Sequence, residues 1–176
     1  RTGLGPGMKA LKRFVDIAGS AVALVLLSPV LLLVALAVKR GSAGPVFYLQ
    51  ERLGLHGKPF HIIKFRTMVQ DAEGARPQLS SDEDPRITPL GKRLRQTRLD
   101  ELPQFWNVLK GEMSLVGPRP ERAFFADQII QHSPHFLRLQ QVRPGITSWG
   151  QVKYGYAENV NQMRQRLRYD IMYLEN

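Results

Sequence analysis

The sequence contains no cysteine. That excludes disulfides, thiolate zinc sites and thiol catalysis, and it suits a reducing compartment. Acidic residues are also scarce. There are 15 Asp and Glu against 25 Lys and Arg, which gives a formal charge of +10 and a pI near 10.3. A surface of that sign seeks anions: nucleic acid, anionic lipid or a phosphorylated substrate. Neither GxGxxG nor GxxxxGK[ST] occurs, so nucleotide binding through those loops has no support. His132 and His135 are separated by Pro134 and have no clustered ligands nearby, which argues against zinc.

Charge is missing altogether from Ile17 to Val38, a run of about 22 positions and close to the length of a membrane span. Lys9, Lys12 and Arg13 precede the run, and Lys39 and Arg40 follow it. Lys and Arg prefer the cytoplasmic side, so a straight span must put one basic flank on the disfavoured side. A re-entrant hairpin puts both on the same side. Pro29 has no N–H to bond the carbonyl of Val25, and Ser28 is placed to bond a freed carbonyl where water is absent. The expectation is two helical arms, Ile17 to Ser28 and Pro29 to Val38, roughly 18 Å and 15 Å long at about 1.5 Å per residue. Neither alone crosses a core of about 30 Å. On these residues, a Pro-kinked span and a hairpin stand nearly even.

The start, RTGLGPG, is Gly-rich and lacks periodicity. Residues 1–7 read as an appended remnant or linker, and Met8 as a native start. Beyond Arg40, Val46 to Gln50 and Phe60 to Phe65 read as strands of a hairpin. A helix is expected at Gln70 to Ala75, followed by a polar Pro- and Ser-containing loop. Leu90 to Thr97, a short helix capped by Asp100, Glu121 to His132 and Asn161 to Leu174 complete the helical expectations. SLVGPRPE and VRPGITSWGQV read as rigid loops. The resulting fold class is α+β, a compact domain of short helices beside a membrane.

The adjacent carboxylates Asp100 and Glu101 attract chemical interest. Acids at a helix start stabilise it through capping and the dipole, and alone they need mean no more. Here Arg93, Arg95 and Arg98 lie just upstream. Two carboxylates beside such cations could share a divalent metal with a diphosphate, magnesium being usual for oxygen ligands. A carboxylate near cations also stays ionised and available as a nucleophile. Arg119 sits between two prolines in GPRP, and this stiffness suits a phosphate grip as well as it suits a plain turn. Lys64 and Arg66 end a strand, where solvated edge charges are the bland reading. Arg143-Pro144-Gly145 repeats the rigid-cation theme. Arg164, Arg166 and Arg168 read as the wet face of the last helix, with lipid headgroups as the alternative partners.

Taken in order, LSPVLLLVAL, GPVFYLQERLGLHGKPFHIIKFRTM, LDELPQFWNVLKGEMSLVGPRPE and VRPGITSWGQV resemble the bacterial sugar transferases, the monotopic phosphoglycosyl transferases, over nearly the whole chain. The start at Met8 looks like the small class of that family. The resemblance implies a re-entrant membrane helix at 8–40, broken at Ser28-Pro29, and a catalytic domain at 41–176 with amphipathic helices at the cytoplasmic face of the bacterial inner membrane.

The reaction implied moves a sugar 1-phosphate from a nucleoside diphosphate sugar, a UDP-sugar by expectation, to polyprenyl (undecaprenyl) phosphate. It passes through a phosphosugar-enzyme intermediate and releases UMP as the first membrane step of polysaccharide assembly. Asp100 matches the family nucleophile, and Glu101 its neighbour in metal or acid–base help, with Mg²⁺ as the expected ion. Lys64, Arg66 and Arg119 match cationic substrate-binding positions, Asp170 matches a family acid near the site, and Arg143 joins the candidate substrate-binding set. Membrane lipids are expected partners, nucleic acid is not, and a homodimer stays open. The chain departs from the family where TSWGQVKYGY stands for TGWAQVNGR: the arginine of NGR is missing and Lys153 is its candidate substitute. A non-catalytic membrane scaffold and a membrane-anchored nucleic-acid binder are the competing readings; the latter lacks any reader motif.

Overall fold

The computed structural model describes residues 5–72, 77–81, 83–155, 157 and 159–175. Its first element, α1 (Pro6–Gly41), is a single helix of 36 residues. Pro6 suits the first helical position, and Lys39 and Arg40 complement the dipole in the last turn. Two separate arms were expected, and here the structure corrects the sequence reading: helix continues through Pro29. The physical reason is local. Ser28 Oγ donates to the carbonyl of Val25 at 2.8 Å, the acceptor that Pro29 leaves without its backbone donor.

The rest of the chain fastens α1 at both ends. Near the N-terminal end, Asp16 and Ser20 are buried. Asp16 accepts from Leu115 N at 3.0 Å and from Ser114 Oγ at 2.7 Å, with Lys12 Nζ 3.4 Å away. Near the C-terminal end, Val34 and Val38 pack against Phe65 and Leu94. No residue between Ser20 and Val34 is buried, and Val25 and Leu26 are 72% and 71% exposed. A free apolar middle between two anchored ends is what a lipid-facing segment requires.

Strands β1 (Phe47–Leu53) and β2 (Pro59–Phe65) form an antiparallel hairpin running from Phe47 opposite Phe65 to Leu53 opposite Pro59. Next come α2 (Pro89–Gln96), a 3₁₀ turn at Leu99–Glu101, and α3 (Gln104–Lys110). Asp100 therefore lies inside a tight turn and does not cap α3. Of the helix expected at Gln70 to Ala75, Gln70 to Ala72 are not helical, and residues 73–75 lie outside the described residues.

The two rigid loops contain a second small sheet. β3 (Ser114–Val116) pairs in parallel with β4 (Gly145–Thr147). A Cβ at Gly145 would sit 2.7 Å from the carbonyl oxygen of Gly117, so only glycine allows this approach. Helices α4 (Ala123–His132), α5 (Phe136–Leu139), α6 (Trp149–Tyr154) and α7 (Val160–Glu175) complete the chain. Phe125, Ile129, Phe136, Leu139, Met163 and Leu167 join α4, α5 and α7 into one core. Phe60, Ile62, Val108 and Met113 seal α3 onto β2.

Candidate active site

The 3₁₀ turn follows Arg98, which adopts left-handed backbone at φ 58° and turns the chain sharply after α2. This turn buries both carboxylates, leaving Asp100 and Glu101 each 7% exposed. They nonetheless meet different surroundings. Lys64 Nζ, at the end of β2, donates to Glu101 Oε1 at 2.9 Å. Arg119 Nη2 lies 3.6 Å from the same oxygen, and Arg98 Nη1 lies 3.7 Å from Oε2. Burial pushes the Glu101 carboxyl up, but Lys64, Arg119 and Arg98 outweigh it and bring the pKa down to about 2. Burial lowers Lys64, while Glu101 opposes that shift.

Asp100 has no such partner. Its Oδ1 is buried without a hydrogen bond. Burial raises its pKa, Lys64 and Arg95 pull it down, and the Glu101 charge adds to the rise. Asp100 is thus a desolvated carboxylate with one oxygen that no protein group bonds, beside a carboxylate held by cations.

Asn107 sets the spacing between β2 and the turn. Its Oδ1 accepts from Ile63 N at 3.0 Å, and its Nδ2 donates to His61 O at 2.8 Å and Glu112 Oε2 at 2.7 Å. The side chain is fully buried, so α3 is clamped to the strand that presents Lys64.

Arg119 is held from the other side by α6 and α7. Its Nη1 donates to Gln151 Oε1 at 2.7 Å. Asp170 is buried, accepts from Gly150 N at 2.8 Å and is also bonded by the Arg119 backbone. A Cβ at Gly150 would lie 2.8 Å from both Arg166 Cγ and Asp170 Oδ2, so glycine is what lets α6 settle on α7. Arg166 is no wet-face residue; it is buried and paired with Glu121, which also faces Arg52 Nη1 at 3.7 Å. Arg166 was misread because a charged residue at helical spacing resembles solvent-facing sequence until its acid is known.

The other expected cations bond to backbone carbonyls. Arg66 donates to Ser42 O at 2.8 Å and to Ala43 O, closing the end of α1. Arg143 Nε donates to Gly111 O at 2.8 Å, below α3. Neither has a described bond to Asp100 or Glu101. Lys153 Nζ lies 4.8 Å from the Trp149 ring centroid. Sequence reading missed Asn107 and Gln151, two neutral amides whose only signal was their place inside otherwise recognised blocks.

Residues 7–176 match the bacterial sugar transferase family. The chain belongs to that family. A UDP-N-acetylgalactosamine-undecaprenyl-phosphate N-acetylgalactosaminephosphotransferase of Aeromonas hydrophila is 45% identical over 94% of this chain and 39% of its own length. A UDP-glucose:undecaprenyl-phosphate glucose-1-phosphate transferase of Caulobacter vibrioides is 43% identical over 93% of this chain and 62% of its own length. A Bacillus subtilis protein named as a putative undecaprenyl-phosphate N-acetylgalactosaminyl 1-phosphate transferase is 36% identical over 92% of this chain and 79% of its own length. This sugar transferase chain thus spans 39% of the Aeromonas relative and 36% of an Escherichia coli glucose-1-phosphate transferase.

Proposed function

We propose that this chain transfers a sugar 1-phosphate from a UDP-sugar to polyprenyl phosphate, with Asp100 as nucleophile. One observation carries the reading: a buried, unpartnered Asp100 Oδ1 stands next to a Glu101 that three cations neutralise. In the first step a carboxylate oxygen of Asp100 bonds to the phosphorus that carries the sugar. The bond from that phosphorus to the bridging oxygen breaks, and its electron pair leaves on UMP. In the second step a phosphate oxygen of the polyprenyl phosphate bonds to the same phosphorus. The acyl-phosphate bond breaks, Asp100 is regenerated as carboxylate, and the product is a polyprenyl diphosphate sugar.

The protein's own groups supply orientation and charge. Lys64 and Arg119 face the site where a diphosphate would place its oxygens, and Glu101 holds both of them in readiness. With its pKa near 2, Glu101 is a poor proton acceptor, so its role is to position cations.

Magnesium fits the donor set through Asp100, whose carboxylate has a second oxygen beside the Oδ1 that would meet phosphorus. Mg²⁺ commonly keeps several waters and binds through one or two carboxylates together with substrate phosphates. Bound there, Mg²⁺ would neutralise charge on the diphosphate.

We also infer that α1 is re-entrant. Lys12 and Arg13 at one end and Val38 at the other all contact the same domain, on Ser114, α3 and Phe65 respectively. A straight helix from Arg13 to Val38 would separate those anchors by about 38 Å. Re-entry sets both basic flanks and the Asp100 turn on one membrane face, the cytoplasmic face of the bacterial inner membrane by the preference of Lys and Arg. There a soluble UDP-sugar and a lipid phosphate can meet.

The test is a panel of UDP-sugars with polyprenyl phosphate and Mg²⁺, scored for UMP and, with donor alone, for a phosphosugar adduct by intact mass. UMP from one sugar and an adduct lost in Asp100→Asn are expected. Full UMP release by Asp100→Asn would overturn the reading.

A further inference from the structure

Four buried side-chain polar atoms lack a hydrogen-bond partner among the described residues: Ser20 Oγ, Arg66 Nε, Asp100 Oδ1 and Gln104 Nε2. Two of them belong to one short stretch. Leu102 and Pro103 both have right-handed helical backbone, so the chain from the Asp100 turn into α3 keeps a helical course. Gln104 therefore follows Asp100 by about one helical turn, the spacing at which side chains on a helical course lie near one another. Gln104 is 2% exposed and Asp100 7%.

The pairing is unusual in its chemistry. An amide N–H is a donor, a carboxylate oxygen is an acceptor, and adjacent burial should bring them together. They are not bonded. Each is left in a low-dielectric setting where an unmade hydrogen bond costs free energy and calls for an explanation. Neighbouring amides show the contrast. Asn107, one turn further along α3, uses both ends of its side chain.

One type of group satisfies both atoms at once. A phosphoryl group offers electrophilic phosphorus to the carboxylate oxygen and a nonbridging oxygen to the amide N–H. A cation would satisfy only the carboxylate, because Gln104 Nε2 carries donors alone. We propose that Gln104 is a catalytic residue whose side-chain amide donates to a nonbridging oxygen of the phosphoryl group undergoing transfer. The donor is fixed before substrate arrives, and its bond strengthens as negative charge builds on the oxygens in the transition state. Gln104 gives up no proton. The bond that forms is Asp100 oxygen to phosphorus, the bond that breaks is phosphorus to the UMP oxygen, and the amide only stabilises the charge between them. Asp100 has two carboxylate oxygens, so contact with phosphorus through one leaves the other for Mg²⁺.

This inference rests on the nucleophile reading above, and the experiment separates the two. Full-length Gln104→Met and Gln104→Glu would be compared with the unmodified chain and Asp100→Asn in nanodiscs. The measurements are melting temperature, kcat and KM for the UDP-sugar that supports turnover, and single-turnover adduct formation with donor alone. Gln104→Met keeps length and removes an unpaired amide, so its melting temperature should hold or rise while kcat falls about 10²- to 10³-fold and KM changes little. Adduct formation should slow by the same factor. Kinetics within about threefold of the unmodified enzyme in Gln104→Met would overturn the proposal. If Gln104→Met does not fold, Gln104→Glu decides: it keeps the shape and loses the donor, so the same drop in kcat is expected. Retained turnover with tighter Mg²⁺ binding in Gln104→Glu would instead make position 104 a metal ligand and overturn the proposal. Undiminished UMP release by Asp100→Asn would overturn the nucleophile reading itself.

Discussion

Lys64 donates to Glu101 across 2.9 Å and so ties the last residues of β2 to the turn that carries Asp100. The bond joins two sequence blocks 37 residues apart, and it leaves Asp100 as the carboxylate of the pair with one buried oxygen, Oδ1, that no hydrogen bond claims.

Glu101→Gln should destabilise the fold and cripple substrate binding. The Glu101 pKa of about 2 lies below its unfolded value. Its stabilisation is therefore fully present above about pH 4.5 and is lost as pH falls through the folded value. The shift corresponds to about 2 kcal/mol once the cost of burying Lys64 is set against it. Denaturant unfolding at pH 7 and pH 3 should show a large difference between the two proteins at pH 7 and a smaller one at pH 3.

Asp100→Asn should move stability the other way. Burial raises the Asp100 pKa, so the folded state holds its proton more tightly than the unfolded chain does. The penalty appears as pH rises above the unfolded value of about 3.9 and is complete above the folded one. Asn carries no such charge. Turnover should fall by roughly 10⁴-fold or more while melting temperature at pH 7.5 rises, a separation that calorimetry and UMP release can read on one sample.

Lys9→Cys and Arg40→Cys should label from the same side of the membrane. The absence of native cysteine makes each variant a clean single-thiol probe, and both positions are exposed. Membrane-impermeant maleimide applied to inverted and right-side-out vesicles should modify both in one orientation only. Opposite-side labelling would establish a span and leave the phosphoryl chemistry untouched.

Asp16→Asn should loosen one root of α1. Asn keeps an acceptor for either Leu115 N or Ser114 Oγ but presents a donor where the carboxylate accepted, and it removes the charge facing Lys12. A loss of about 1–3 kcal/mol is expected, seen as a lower melting temperature in detergent.

How much of this was legible in the sequence depended on the range of the interaction. The β1–β2 hairpin, α2 and α7 follow local periodicity and turn chemistry and lie within a few residues of expectation, and the apolar run of α1 was legible though its continuity through Pro29 was not. Even the Ser28 bond to Val25 was readable, because it is local. What local rules could not supply was the β3–β4 sheet, whose parallel partners are about 30 residues apart and look like stiff loops when read singly. The same limit applied to the cations. Lys64, Arg66, Arg119, Arg143 and Arg166 are alike in sequence. Only tertiary pairing sends Lys64 and Arg119 to Glu101, Arg66 to the end of α1, Arg143 to Gly111 and Arg166 to Glu121.

Asp170→Ala should weaken donor binding more than it slows chemistry. Asp170 accepts from Gly150 N and from the Arg119 backbone, so it fixes the loop that carries Arg119 and the start of α6 that carries Gln151. Without it, Arg119 keeps its charge but loses its fixed place 3.6 Å from Glu101. An unfixed cation binds a diphosphate at a larger entropy cost, while Asp100 and Lys64 remain in register. A rise in KM for the UDP-sugar of about 10-fold with a smaller fall in kcat is therefore expected. Asp170→Asn, which retains an acceptor oxygen for one of the two backbone N–H groups, should recover part of the loss. If Asp170 instead served the chemical step, kcat would fall with KM unchanged and Asp170→Asn would recover nothing.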